Sequence, residues 1–166
     1  EVFLTCESGG TLEFHIEPVL PMIKLIIYGD TPTAYALANM GSYLNYNCII
    51  CSTDPIKAKR LSEKVNIVNN YKSFSGNCAI VIATQGKNDI EALKSALSSK
   101  PNFISMIISR KKAVSIIRQL KKLGISDDEV RKIKFPAGLS INAKTPEEIA
   151  ISILAELINE RNSEDK

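Results

Sequence analysis

Along this chain short apolar runs end in polar turns and give way to stretches of helical spacing. Residues 11–17 alternate, with Leu12, Phe14 and Ile16 on one side and Glu13, His15 and Glu17 on the other, the period-two pattern of a half-buried strand. Pro18 and Pro21 then bracket a short linker, which sets residues 1–21 apart as an appendage. Leu25-Ile26-Ile27-Tyr28 predicts a strand that stops at Gly29, turns through Asp30-Thr31-Pro32 and continues as a helix from about Thr33 to Leu44. The small residues Ala34, Ala38 and Gly41, with Leu37 and Met40, let that helix pack close to a sheet. Cys48 to Cys51 is the next strand. Asp54 reads as the N-cap of a further helix, with Pro55 in its first turn. Val65 to Val68 is a short strand, and Cys78 to Ala83 is apolar throughout, as in a strand covered on both faces.

The second half repeats the alternation. Thr84 to Asp89 is an exit loop, followed by a helix to about Ser99. Phe103 to Ile108 is a strand, and Ser109-Arg110-Lys111-Lys112 opens a helix that runs to Leu123 and stops at Gly124. Ser126-Asp127-Asp128-Glu129 starts a short capped helix, and Phe135 to Gly138 is a loop. Thr145-Pro146-Glu147-Glu148 is a capping box; the helix it opens buries Ile149, Ile153, Leu154 and Leu157. Residues 159–166 read as a polar, frayed tail. Strands alternating with helices predict an α/β fold with a mostly parallel, Rossmann-like sheet and helices on both faces, plus the short N-terminal β appendage. The expected division is an appendage over 1–21, a Rossmann-like domain over 22–160 and a polar tail over 161–166.

At 166 residues, 45% hydrophobic and 23% charged, the composition is that of a globular domain with a real core. The net charge of +3 reads as too small and too dispersed for a nucleic-acid binder, and no run approaches the ~18 apolar residues of a membrane span. The four cysteines, Cys6, Cys48, Cys51 and Cys78, fit a reduced, cytoplasmic setting. Cys48 and Cys51 form a C-x-x-C, but residues three apart on a strand point to opposite faces, so they predict core packing rather than a metal or redox pair. His15, the only histidine, sits between two acids on the polar face of its strand and reads as solvated.

In a parallel sheet, sites gather where strands end. The first turn is an imperfect dinucleotide pattern: Gly29-x-Thr31-x-x-Ala34 keeps the turn glycine and the small packing residue but has Thr31 where a glycine admits the pyrophosphate. Asp54, 25 residues after Gly29, reads either as a ribose-binding acid or as a cap. Ser109-Arg110-Lys111-Lys112 reads either as an anion site at a helix N-terminus or as a solvated basic face. Thr84, Gln85, Gly86, Lys87 and Asp89 are polar and well placed, without the histidine or acid pair that general acid–base chemistry needs. Cys6, close before Gly9-Gly10, sits on a flexible turn suited to a nucleophile or a sulfur ligand.

Taken together these motifs resemble one family, the accessory proteins of xanthine dehydrogenase and carbon monoxide dehydrogenase (XdhC/CoxI). The resemblance is carried by Pro136-x-Gly138-Leu139, by Ile141-x-Ala143-x-Thr145-Pro146-Glu147-Glu148-Ile149-Ala150 and by Ser152-Ile153-x-Ala155-Glu156. Ser109-Arg110, Cys6-x-x-Gly9-Gly10 and Glu17-Pro18-Val19-Leu20 extend it over nearly the whole chain. The resemblance implies a cytoplasmic, non-enzymatic assembly factor that binds the molybdenum cofactor, assists its sulfuration and hands it to an apo molybdenum hydroxylase. It also implies a homodimer, with Cys6 as a sulfur contact and with Gly29, Asp30, Thr31, Pro32, Lys87, Ser109 and Arg110 lining an anion-tolerant pocket.

The chain departs from the family pattern in three loops. Gly29-Asp30-Thr31-Pro32 stands for G-x-G-H, Ser52-Thr53 for Asp-Asp, and Thr84-Gln85-Gly86-Lys87 for T-H-G-H. Residues 1–21 match only the end of the family's N-terminal domain, so the resemblance leaves room for a separate protein supplying the rest. The alternative reading, from the strand and helix order, is an NAD(P)-binding oxidoreductase or nucleotide sensor.

Overall fold

A computed structural model describes residues 22–163. The alternating strand at 11–17, His15 and the Cys6 turn lie outside the described residues. Strands β1 (Lys24–Tyr28), β2 (Asn47–Cys51), β3 (Asn66–Val68), β4 (Cys78–Ile82), β5 (Phe103–Met106) and β6 (Ile133–Lys134) form one sheet in the order β3-β2-β1-β4-β5-β6. Every neighbouring pair is parallel. This is the doubly wound order, and its reversal falls between β1 and β4.

Helices cover both faces. On one side α1 (Pro32–Tyr43) and α5 (Pro146–Ser163) pack on Leu25, Ile27, Ile50, Ala79 and Val81. On the other, α2 (Asp89–Ser98), α3 (Arg110–Lys122) and α4 (Asp127–Arg131) cover Ile26, Tyr28, Ile80, Ile82 and Ile104. β4 is buried along its whole length and β1 at all but Lys24, because neither face of the sheet centre meets water. Cys48 joins the first core and Cys51 the second, on opposite faces as their spacing requires. Burial pushes both thiols up to about 12, which keeps them protonated and inert.

Gly29 is explained by packing. Its φ is +131°, and a Cβ there would lie 2.3 Å from the Ala83 carbonyl oxygen. The ends of β1 and β4 are that close, so a side chain has nowhere to go. The capping boxes form as read: Thr145 Oγ1 accepts from the Glu148 amide at 3.2 Å, while the Glu148 carboxylate accepts from the Thr145 amide at 3.0 Å. Ser126 and Glu129 do the same for α4.

Three local expectations are corrected. No α-helix follows Asp54 and Pro55; the segment is irregular, with one 3-10 turn at Ala58–Arg60. Only Ile56 and Leu61 pack against the core there, and a cap without an apolar stripe does not sustain a helix. The stretch is held instead by the Asn39 side chain, which bonds Arg60 O and Ser62 N, each at 2.8 Å. The strand expected to reach Ile108 ends at Met106, although Ile107 N still donates to Ile82 O at 2.8 Å. Finally, α5 runs on to Ser163 rather than fraying at 159, with Arg161 over the Tyr46 ring.

Candidate functional site

The four loops at the strand ends are neighbours, but only the third and fourth line the large cleft. At the first turn the Thr31 hydroxyl accepts from the Ala34 amide at 3.2 Å and caps α1. Pro32 follows with no N–H to offer, and Thr31 itself is buried. Two of the groups that would cradle a phosphate are therefore absent or engaged, and Gly29 is filled against β4. The dinucleotide of the alternative reading finds no support in this geometry.

Asp54 and Lys87 pair with each other across 3.1 Å at the surface, and Asn88 Nδ2 donates to Thr53 Oγ1 at 3.1 Å. Asp54 raises the pKa of the Lys87 ammonium through that hydrogen bond and its charge. These contacts tie the second and third loops together. The buried Thr84 hydroxyl donates to the Asp89 carboxylate, which also accepts from the Gly86 amide at 3.1 Å. The turn that results carries Gln85 in the left-handed region at φ 52° and presents it outward.

The large cleft lies further along the sheet, beyond the ends of β4, β5 and β6, and holds about 800 Å³. One wall is Gln85, Gly86 and Asp89 with the start of α3, where Ser109, Arg110 and Lys112 reach it. The other wall is the loop 136–143, backed by Ile149 and Ser152 of α5. Its lining is apolar through Ile107, Ile108, Ala137 and the exposed Leu139 and Ile141, and it carries two cations, Arg110 and Lys112. Ser109 Oγ accepts from the Lys112 amide at 3.3 Å and caps α3. The first-turn amides of Arg110 and Lys111 have no intrahelical partner, so they and the helix dipole favour an anion here.

The 136–143 wall is fixed by backbone contacts. Ala137 N donates to Met106 O at 3.0 Å, and Leu139 N donates to Ser152 O at 3.1 Å. The Glu156 carboxylate accepts from the Gly138 amide at 2.8 Å. Gly138 sits at φ +90°, and a Cβ there would meet Ser152 Oγ at 2.3 Å. The close approach of this loop to α5 thus needs glycine at 138 and an acceptor at 156.

Of the residues expected at a site, Gln85, Gly86, Ser109 and Arg110 come together in the cleft. Gly29, Asp30, Thr31, Pro32, Asp54, Thr84 and Lys87 do not line it, and Cys6 lies outside the described residues. Sequence reasoning missed the wall from Pro136 to Ala143 as a lining element. Its signal was the dense Gly138-Leu139 to Glu156 signature, whose purpose becomes visible once the loop is seen docked on α5. Among the described residues, no group of three or more His, Cys, Asp or Glu is placed to hold a metal ion. No described helix is long and apolar enough to cross a membrane. A second depression of about 330 Å³ lies between α1 and α5; it is lined by Met40, Tyr43, Leu44 and Ile151 among others and offers no charge.

Comparison with known proteins fits this architecture. The family profile described as the XdhC Rossmann domain matches residues 25–157. The chain belongs to this family. XdhC-type relatives include the molybdenum cofactor insertion chaperone PaoD of Escherichia coli K12, 24% identical over 142 residues, covering 85% of this chain and 41% of PaoD. A probable xanthine dehydrogenase component of Bacillus subtilis 168 is 24% identical over 161 residues, covering 91% of this chain and 47% of that protein. A crystal structure of a xanthine dehydrogenase from Bacillus halodurans superposes with a TM-score of 0.72 at 25% identity, over 86% of this chain and 44% of that one. The chain thus spans less than half the length of each of these relatives.

Proposed function

We propose that this XdhC-type domain holds the molybdenum cofactor in the cleft between α3 and the 136–143 loop and serves its delivery to an apo hydroxylase of the xanthine dehydrogenase type. The single observation that carries this reading is that apolar side chains and the cations Arg110 and Lys112 line one open cleft of about 800 Å³. That combination suits a flat, pterin-type body with an anionic end. Arg110, Lys112 and the first-turn amides of α3 would take the anionic end. The apolar residues of the 136–143 loop would cover the ring.

The role the cleft residues suit is binding and release. Among the described residues, the one carboxylate lining the cleft is Asp89, and it is engaged by Thr84 and Gly86. No described histidine lines the cleft to move a proton. The described residues of the cleft therefore orient and screen a ligand.

Anaerobic titration with cofactor released from a purified molybdenum hydroxylase tests the reading. Wild type retains the pterin on gel filtration, Arg110→Glu weakens binding by about tenfold or more, and wild type restores activity to apo hydroxylase. A wild-type chain that retains no cofactor and restores no activity refutes it. Cys6→Ala in the same assay, with the sulfur content of the product measured, asks whether sulfuration is part of the role.

A further inference from the structure

Helix α3 is the charge pole of the molecule. Its 13 residues carry Arg110, Lys111, Lys112, Arg118, Lys121 and Lys122 and no acid. The whole chain has 21 lysines and arginines and 18 acids, so the 15 cations outside α3 are outnumbered. The positive charge is concentrated on one helix rather than dispersed, which corrects the reading from composition.

Folding does not call for this arrangement. Ala113, Ile116 and Leu120, with the partly buried Ile117, anchor α3 in the core. The helical period sends Lys111, Ser115, Arg118 and Lys122 along one exposed line, roughly 16 Å long at 1.5 Å per residue. Arg118 and Lys122, four apart, repel each other. Lys121 turns to Asp127 at 2.7 Å, while Lys111, Arg118 and Lys122 form no ion pair with an acid among the described residues. The line begins where Arg110 and Lys112 reach the cleft.

Resting on the cofactor-delivery reading, we infer that this basic line is the docking surface for an acidic patch on the apoprotein that receives the ligand. Opposite charge over such a line steers encounter and brings the acceptor to the mouth of the cleft in one orientation. The partner is a protein surface rather than a nucleic acid. Asp127, Asp128 and Glu129 open α4 just beyond the far end of the line, so the basic track stops there, which suits an acidic patch of limited length rather than a continuous phosphate backbone. No aromatic residue stands on α3 to stack a base.

The test uses the double variant Arg118→Glu/Lys122→Glu, whose residues do not touch the cleft. Association is measured against an immobilised apo hydroxylase purified from a host unable to make the molybdenum cofactor, over a range of salt. The variant's association rate falls about tenfold or more, its salt dependence flattens, and its dissociation rate changes less. Its cofactor titration and melting temperature match wild type. Wild-type association in the double variant overturns the inference. So does tighter wild-type capture of mixed-sequence duplex DNA, RNA or anionic vesicles than of the apoprotein, if the variant loses that capture. Wild type that binds cofactor but no apoprotein refutes the docking surface alone, whereas wild type that binds neither refutes the functional reading beneath it.

Discussion

Two helices of this sheet begin at the carboxyl end of a strand under a hydroxyl cap, and they differ in what lies above the cap. At α1, Thr31 is buried, Pro32 lacks an N–H, and Gly29 is pressed against the carbonyl of Ala83. At α3, Ser109 is exposed, three cations follow it, and the cleft opens in front. The first turn stands beside the switch point between β1 and β4, where a doubly wound fold usually binds its ligand. The room for a ligand has moved two strands along, to the ends of β5 and β6. A cap of the right type thus says where a helix starts, but exposure and neighbouring charge decide whether it is a site.

Substitutions at either end sharpen the contrast. The largest effect is expected at Gly29. Gly29→Ala drives a Cβ to 2.3 Å from backbone that cannot yield, costing about 3–5 kcal/mol. A thermal melt registers this as a drop of about 10 °C, while protein that remains folded keeps its cofactor affinity. Gly138→Ala comes next, at about 2 kcal/mol, because the atom it meets is a side-chain hydroxyl and its φ is +90°. Here the wall itself shifts, so cofactor titration loses affinity together with stability. Thr31→Ala removes one cap at about 1 kcal/mol; denaturant unfolding detects it, and cleft binding stays as in wild type. The smallest effect is at Lys87, whose ion pair with Asp54 is exposed. Lys87→Ala leaves both the melt and the titration unchanged, whereas a binding defect there would return the site to the first three loops.

Much of this architecture was legible in the chain. The buried β4 run, the opposed faces of Cys48 and Cys51, the capped start at Ser126 and the box at Thr145 follow from period and cap chemistry alone. The cleft wall was not, because residues 136–143 have no period and β6 is only two residues long. Nothing local indicates that Gly138 and Glu156, far apart in sequence, hold one loop. The closed state of the first turn was hidden for a different reason: a threonine that caps its own helix and a threonine that binds a phosphate look alike until its burial is known. The helix expected after Asp54 failed because a local cap signal was not matched by an apolar face.

The central claim, that the ligand of this domain sits between α3 and the 136–143 loop, is tested most directly by hydrogen exchange across the chain with and without molybdenum cofactor. The account predicts added protection at residues 107–112 and 136–143, with none at 29–34. Protection confined to 29–34, or none anywhere under saturating cofactor, would contradict it.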